Sequence, residues 1–479
     1  MKIRTEQFLE IAKSEINNPQ SQAFLRLLPL ALNVRRQRAM SSFADPVAGS
    51  DYGAVIRSEA VARLPELLAE FEKNATANGV RIIWARDAEE ANGAILKIAR
   101  DNHIKYATKG KSMITEELGT NDLLIKNGID IFESDLGELI VQLLERPPFH
   151  IVGPAINVPV EEIRDIFLEK GVLTEPTLDP VALGQAARGF LREKFHHLEM
   201  GITGVNMVVA ETGTIINVEN EGNIRFNKSC PRIQVSVMSI EKVVPTMEDA
   251  LYMLRLLTRN CTGQKMGAYI TFDTGPKKTD EIDGPEELYL VIVDNGRASK
   301  LQDPGTMQVF QCIRCGACLN HCPVYGTVGG YAYGWAYSGP IGQVLNPLLL
   351  GLDKNQDLLR ACMGCGRCRE VCPAGLDHPQ ILQFYRQKDV EGDPTFQTRK
   401  RPWQERQFFK FWGWAVQHRN HWNSSIGVMR PFLNYSIDHS LFRNWIKPLH
   451  NWLDSRDLPP VSGKTFHERW QSLKADEPE

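Results

Sequence analysis

No apolar run of the roughly 18 residues needed to span a bilayer occurs in this 479-residue chain, which excludes a transmembrane helix. An excess of one charge sign is also missing. The 55 Lys and Arg stand against 58 Asp and Glu, a formal charge of −3. That balance argues against a protein that coats nucleic acid, although a local basic patch stays open. Gly and Pro, at 37 and 27 residues, are near ordinary usage, so the chain is neither collagen-like nor dominated by linkers. No G-x-G-x-x-G opens a helix and no G-x-x-x-x-G-K-[ST] occurs, so no flavin or NAD site is evident. Neither HExxH nor an H-x-x-x-H pair marks a mononuclear metal. The N-terminal MKIRTEQFLEIAKSEINN carries charges where an export signal would place its apolar stretch. The expectation is a cytoplasmic protein, with peripheral attachment at the inner face of the membrane as an alternative.

What is present is a cysteine concentration. Eight of the ten cysteines lie between Cys312 and Cys372, while Cys230 and Cys261 stand apart. They form two copies of one pattern, Cys312-Ile-Arg-Cys315-Gly-Ala-Cys318-Leu-Asn-His-Cys322-Pro and Cys362-Met-Gly-Cys365-Gly-Arg-Cys368-Arg-Glu-Val-Cys372-Pro. C-x2-C-x2-C-x3-C-P is the bacterial iron–sulfur run, in which the fourth cysteine ligates the other cluster of a pair. The expected sets are therefore Cys312, Cys315, Cys318 and Cys372 for one [4Fe–4S] cluster, and Cys362, Cys365, Cys368 and Cys322 for a second. Gly316 and Gly366 relieve crowding where the backbone nears the cluster. Two zinc sites are the competing reading, but zinc usually takes C-x2-C pairs separated by a longer loop. The link from Pro323 to Ala361 is long for a compact ferredoxin. Its LNPLLLGLDKNQDLLRA reads as helical, with Asn346 and Pro347 as N-cap and first-turn pair. This arrangement resembles the helical ferredoxin module of respiratory dehydrogenase iron–sulfur subunits and of heterodisulfide reductase.

At about 150 residues per domain the length suggests roughly three domains. Residues 1–75 read as an N-terminal helical extension, interrupted by a DPVAGSDYG loop. Residues 76–300 alternate short apolar strands (VRIIWA, VNMVVAETGTIINV, LYLVIVD) with helical stretches, which predicts an α/β domain with a largely parallel sheet. Residues 301–390 form the two-cluster module, and 391–479 a basic, Trp-rich C-terminal extension.

Two segments of the α/β domain could bind a ligand. Thr108-Lys109-Gly110-Lys111-Ser112 ends a predicted strand before a helix, so its ammonium groups would suit a carboxylate or phosphate. A solvated turn with surface lysines reads equally from those residues. Glu211, then Glu219 and Asn220, sit in a strand–turn–strand followed by the acidic loop VENEGN, either substrate contacts or caps of a hairpin.

KGKSMITEELG, FESDLGELIVQL, HIVGPAINV, VVAETGTIINVENEGNIR and IEKVVPT are similar to the lactate-utilisation (LUD) domain. With two ferredoxin-type motifs and a C-terminal extension, the chain resembles the lactate-utilisation protein B family. The resemblance implies a LUD fold related to the sugar-phosphate isomerase and CoA-transferase superfamily. It also implies an oxidoreductase subunit of a three-protein complex that oxidises L-lactate to pyruvate. The implied partners are a cysteine-rich iron–sulfur subunit like that of heterodisulfide reductase and a shorter LUD-domain subunit, with a quinone-linked acceptor as one outlet. Glu219 and Glu221 only loosely echo the CoA-transferase glutamate, and no catalytic residue is carried over. A glycolate-type 2-hydroxy-acid dehydrogenase and a non-catalytic iron–sulfur structural or sensing protein are the alternative functions.

Residues 399–452 hold nine Lys and Arg against two Asp and Glu, with six Trp: Trp403, Trp412, Trp414, Trp422, Trp445 and Trp452. Basic residues among aromatics suit packing, subunit docking or a membrane surface. Nothing else in the chain supports nucleic acid. His418, His421, His439 and His450 show no ligand spacing.

Overall fold

The computed structural model describes residues 2–399, 401–427 and 462–475. The chain divides into two compact units, residues 1–399 and 400–479.

In the first unit, six strands form one all-parallel sheet: β1 (Arg81–Ala85), β2 (Tyr106–Lys109), β3 (Asp130–Glu133), β4 (Met200–Gly204), β7 (Ile233–Ser239) and β10 (Glu287–Val293). Their spatial order is β1-β10-β7-β4-β2-β3. The central strand β7 is buried along its whole length, as expected where helices cover both faces. Four strands form a second sheet, ordered β8-β5-β6-β9: β5 (Met207–Val209), β6 (Thr214–Glu219), β8 (Val243–Val244) and β9 (Tyr269–Asp273). The β5–β6 pair is antiparallel, as the strand–turn–strand pattern of VNMVVAETGTIINV anticipates. Capping fixes helix starts on the first sheet. Asp87, Asp135 and Asp179 accept backbone N–H bonds at their helices, and Thr246 and Asp249 form a reciprocal capping box before Met247–Cys261.

Residues 46–62 differ from the loop expected at DPVAGSDYG: they form a helix, Pro46–Ala62. Asp45 accepts from the N–H groups of Val47 and Ala48, and Pro46 occupies the first turn. The glycines read as breakers serve close packing instead. A Cβ on Gly53 would lie 2.3 Å from Leu256 Cδ1 and 2.7 Å from the Pro373 carbonyl oxygen. The N-terminal segment packs against the cysteine module as well as the α/β domain. Phe8 meets Tyr333 edge to face at 5.9 Å, and Arg4 N–H donates to the Gly334 carbonyl at 2.7 Å.

The cysteine module is helical, with a core that includes Tyr325, Tyr333, Tyr337, Val344, Leu345 and Tyr385. In its long link the helix runs Gly339–Leu350 with Pro340 in its first turn, seven residues before the expected Pro347. Asn346 is no cap: it is buried mid-helix and its Nδ2 donates to the Tyr337 carbonyl at 2.9 Å. Residues 391–399 go with this module, because Phe396 is buried in its core.

In the second unit the helices Trp403–Gln417 and Phe466–Ala475 are described. Trp403, Phe408, Phe409, Phe411 and Trp414 are exposed, and Trp414 stacks on His421 at 4.1 Å. Trp445, Trp452, His439 and His450 lie outside the described residues. No helix among the described residues is long and apolar enough to cross a membrane.

Candidate metal centre and adjoining cavity

Each cysteine motif is a short loop leading into one helical turn, Ala317–His321 or Arg367–Glu370. Two left-handed residues bend each loop at matching places. They are Arg314 (φ 61°) and Gly316 (φ 77°) in the first, and Gly364 (φ 71°) and Gly366 (φ 76°) in the second. Left-handed backbone is natural for glycine and costly for arginine, so Arg314 marks a position where the side chain matters.

The two loops exchange their fourth cysteines in space. Cys322, from the first motif, lines one pit with Cys362, Cys365 and Cys368. Cys372, from the second, acts on Cys315 more strongly than any other charged group, with Cys312 next, and Cys318 neighbours all three. None of the ten cysteines forms a disulfide.

Two further features fit an iron–sulfur cluster. Burial pushes the thiols up: Cys372 and Cys322 to about 11, Cys368 to about 12, and Cys315 and Cys318 well above the ordinary value. Thiolates this enclosed need a cation beside them, which iron supplies. The pit of the second set also holds Gln343 and His378, and the buried atoms Gln343 Nε2 and His378 Nδ1 have no hydrogen-bond partner among the described residues. Backbone N–H groups already point at sulfur: Arg314 at Cys312 (3.4 Å), Gly364 at Cys362 (3.3 Å) and Leu376 at Cys372 (3.4 Å).

The two sets differ in exposure. Cys315 and Cys318 are buried, whereas Cys365 is exposed and Met363 beside it is 69% exposed.

Behind the first loop lies a cavity of about 290 Å³. Residues that end or follow β2, β4 and β7 line it, among them Lys111, Gly204, Ser239 and Lys242. So do the β6 end and its loop (Asn217, Glu219, Asn220, Glu221), and Ile313 and Arg314 from the cysteine loop itself. The carboxyl ends of parallel strands are where open α/β sheets bind ligands. Burial and the Arg314 guanidinium push the Lys242 ammonium down to about 7, against the pull of Glu241 and Cys312.

Of the residues singled out in the sequence, Lys111, Glu219 and Asn220 reach this cavity and Lys109 and Glu211 do not. Lys109 is fully buried in a separate cluster, with its ammonium 2.7 Å from Glu133 and 3.0 Å from Glu116. Strand alternation would put both lysines on one face, but β2 ends at Lys109, and past that end the chain turns so that Lys111 lines the cavity while Lys109 stays with Glu116 and Glu133. Glu211 caps the helix Met247–Cys261 by accepting from the Met247 N–H at 3.1 Å. Glu219 accepts from the N–H groups of Ile224 (2.6 Å) and Arg225 (3.1 Å). Asn220 Oδ1 accepts from Gln264 Nε2 and the Ala268 N–H, both at 3.1 Å.

Sequence reasoning missed the charge network joining the cavity to the cysteine loop. Glu241, held down to about 2 by Arg297 and Arg314 despite its burial, pairs with Arg297 (3.1 Å) and Arg314 (2.9 Å). Arg297 reaches Glu117 at 2.6 Å, and the Tyr337 hydroxyl donates to Glu117 at 2.7 Å. Arg57 donates to the carbonyls of Glu241, Val243, Phe310 and Gln311, stitching the helix Pro46–Ala62 to both domains. These residues are scattered over 280 positions, so no local pattern announces them; only the left-handed Arg314 stands where its motif twin carries glycine.

Residues 68–293 match the LUD domain family, and residues 308–376 match a 4Fe-4S dicluster domain family. Curated relatives match along nearly the full length of the chain. "Lactate utilization protein B" of Macrococcus caseolyticus is 37% identical over 477 residues, covering 98% of each chain. The protein of the same name from Anoxybacillus flavithermus is 37% identical over 480 residues and covers 100% of each chain. That of Bacillus subtilis is 36% identical over 484 residues, covering 100% of this chain and 98% of its own.

Proposed function

The chain belongs to the lactate utilization protein B family, and on that premise we propose that it is the iron–sulfur electron-transfer subunit of a complex oxidising L-lactate to pyruvate. Cys312, Cys315, Cys318 and Cys372 would hold one [4Fe–4S] cluster, and Cys362, Cys365, Cys368 and Cys322 a second. Bound there, each cluster supplies a one-electron relay, and lactate oxidation releases two electrons.

The observation that carries this reading is the gradient of exposure. Cys315 and Cys318 of the first set are buried and their loop reaches the 290 Å³ cavity through Ile313 and Arg314, whereas the second set reaches the surface at Cys365 and Met363. Cys368 is a charge neighbour of Cys318, so the two sets are adjacent. An inner end beside a cavity and an outer end beside an exposed apolar side chain are what a relay to a docked partner requires. The partners proposed for that outer end are the cysteine-rich iron–sulfur subunit and the shorter LUD subunit, with a quinone-linked acceptor beyond them. The LUD fold's relation to the sugar-phosphate isomerase and CoA-transferase superfamily belongs to the same proposal. The exposed aromatic helix Trp403–Gln417, with Arg406 and Lys410 among its rings, suits peripheral attachment to an anionic membrane. Co-sedimentation of the full chain with anionic vesicles, lost on replacing Phe408, Phe409 and Phe411 by Ser, checks that attachment.

The test of function is anaerobic. L-Lactate added to the assembled complex should bleach the visible cluster absorbance as dithionite does. Bleaching by dithionite with no response to L-lactate would favour the structural or sensing role, and a response to glycolate alone would reassign the substrate.

A further inference from the structure

We propose that the cavity behind the first cysteine loop binds a small organic carboxylate between the ammonium groups of Lys111 and Lys242, with Arg314 forming the wall toward the cysteines. Which carboxylate it takes, L-lactate, rests on the electron-transfer reading; the site itself does not.

The argument is one of charge accounting. Among the described residues three cations line the cavity: Lys111, Lys242 and Arg314. Arg314 is already committed, at 2.9 Å to Glu241 and 3.1 Å to the Cys312 carbonyl. Lys242 has no hydrogen-bond or ion-pair partner among the described residues, although Glu241 and Cys312 act on it from a distance, and Lys111 donates to the neutral carbonyl of Val152 with Glu221 and Glu138 near but not paired to it. The cavity's own carboxylates make no direct pair with either ammonium group. Asp135 accepts from the Glu138 N–H at 3.1 Å, Glu221 from the Leu136 N–H at 3.1 Å, and Glu219 from Ile224 and Arg225. None of the three forms an ion pair with either lysine. Two enclosed ammonium groups without a paired counter-charge are costly unless an anion joins them.

Size and place agree. About 290 Å³ is at the small end of the range for organic ligands. The position at the carboxyl ends of β2, β4 and β7 is the usual ligand edge of a parallel sheet. Ile313 and Arg314 put the bound molecule against the first cysteine loop. The lining also carries Asn206 and Ser239, which can hydrogen-bond an oxygen next to the carboxylate. A phosphate would want a denser set of donors than two point charges.

The test is anaerobic calorimetric titration of the full-length chain, clusters in place, with L-lactate, pyruvate and inorganic phosphate. L-Lactate or pyruvate should bind in preference to phosphate. Lys242→Met and Lys111→Met should each weaken that binding by roughly tenfold or more. Lys242→Arg should restore most of it. Iron content and the electron-paramagnetic signals of the reduced clusters should stay unchanged in each variant, which separates a binding role from a structural one. Absence of carboxylate binding to the wild-type chain, preference for phosphate, or wild-type affinity in both Met variants would overturn the proposal. None of those results would touch the electron-transfer reading, which fails instead on missing iron or an unresponsive complex.

Discussion

Arg314 Nη2 donates to Glu241 Oε1 at 2.9 Å, and this pair ties the loop of the first cysteine motif to the turn that follows β7. Glu241 is fully buried and the Arg314 side chain is 9% exposed. Removing Arg314 leaves Glu241 enclosed with Arg297 as its remaining ion-pair partner, and losing one charged hydrogen bond at a buried group costs about 1–3 kcal/mol. Arg314→Ala should therefore lower stability to anaerobic urea unfolding by that order. The loss should change little between low and high salt, because buried pairs are weakly screened.

Gly53→Ala tests the close approach of the helix Pro46–Ala62 to Leu256 and Pro373. The added methyl group would need Leu256 Cδ1 and the Pro373 carbonyl to move. Overpacking of this kind costs about 1–3 kcal/mol. Because Pro373 follows Cys372, iron content should fall with stability, as measured by iron analysis of purified protein against its melting temperature.

His150 sets a pH dependence. Its Nδ1 accepts from the Val152 N–H at 3.0 Å, and its Nε2 lies 3.2 Å from Asn320 Oδ1. Burial, with Lys111 nearby, pushes the imidazole down to about 4 from an ordinary 6.5. The folded state thus binds the proton less readily than the unfolded chain. The His150 contribution is complete above pH 6.5 and is lost as pH falls toward 4. The difference amounts to roughly 3 kcal/mol. Unfolding free energy measured across that window should drop with acid, and His150→Gln should flatten the slope.

The architecture was readable where it is local. The apolar strands, the β5–β6 hairpin and the twin cysteine motifs all announce themselves within a short local stretch. What stayed hidden depends on distant neighbours. Gly49 and Gly53 resemble loop glycines until Tyr252 and Leu256 are placed against them. Lys109 and Lys111 look alike in KGKS, yet one is enclosed by Glu116 and Glu133 and the other lines the cavity. Asn346-Pro347 has the form of a helix start, but the helix begins earlier, with Pro340 in its first turn, and Asn346 is held by Tyr337. Lys242 and Arg314, 72 positions apart, meet only in the fold.

Gln343 is expected to tune the second set. Its Nε2 is buried beside the pit lined by Cys322, Cys362, Cys365 and Cys368 and has no partner among the described residues. N–H donors to sulfur raise a cluster's potential. Gln343→Leu should make the potential of one cluster more negative in an anaerobic redox titration and leave the other in place.

The most direct measurement of the central claim is iron, sulfide and zinc analysis of the anaerobically purified chain and its Cys322→Ser variant, with electron-paramagnetic spectra after reduction. The account predicts iron and sulfide for two clusters in the wild type, and in the variant loss of the cluster shared with Cys362, Cys365 and Cys368 alone. Colourless protein containing zinc, or a variant that loses the cluster of Cys312, Cys315 and Cys318 instead, would contradict it.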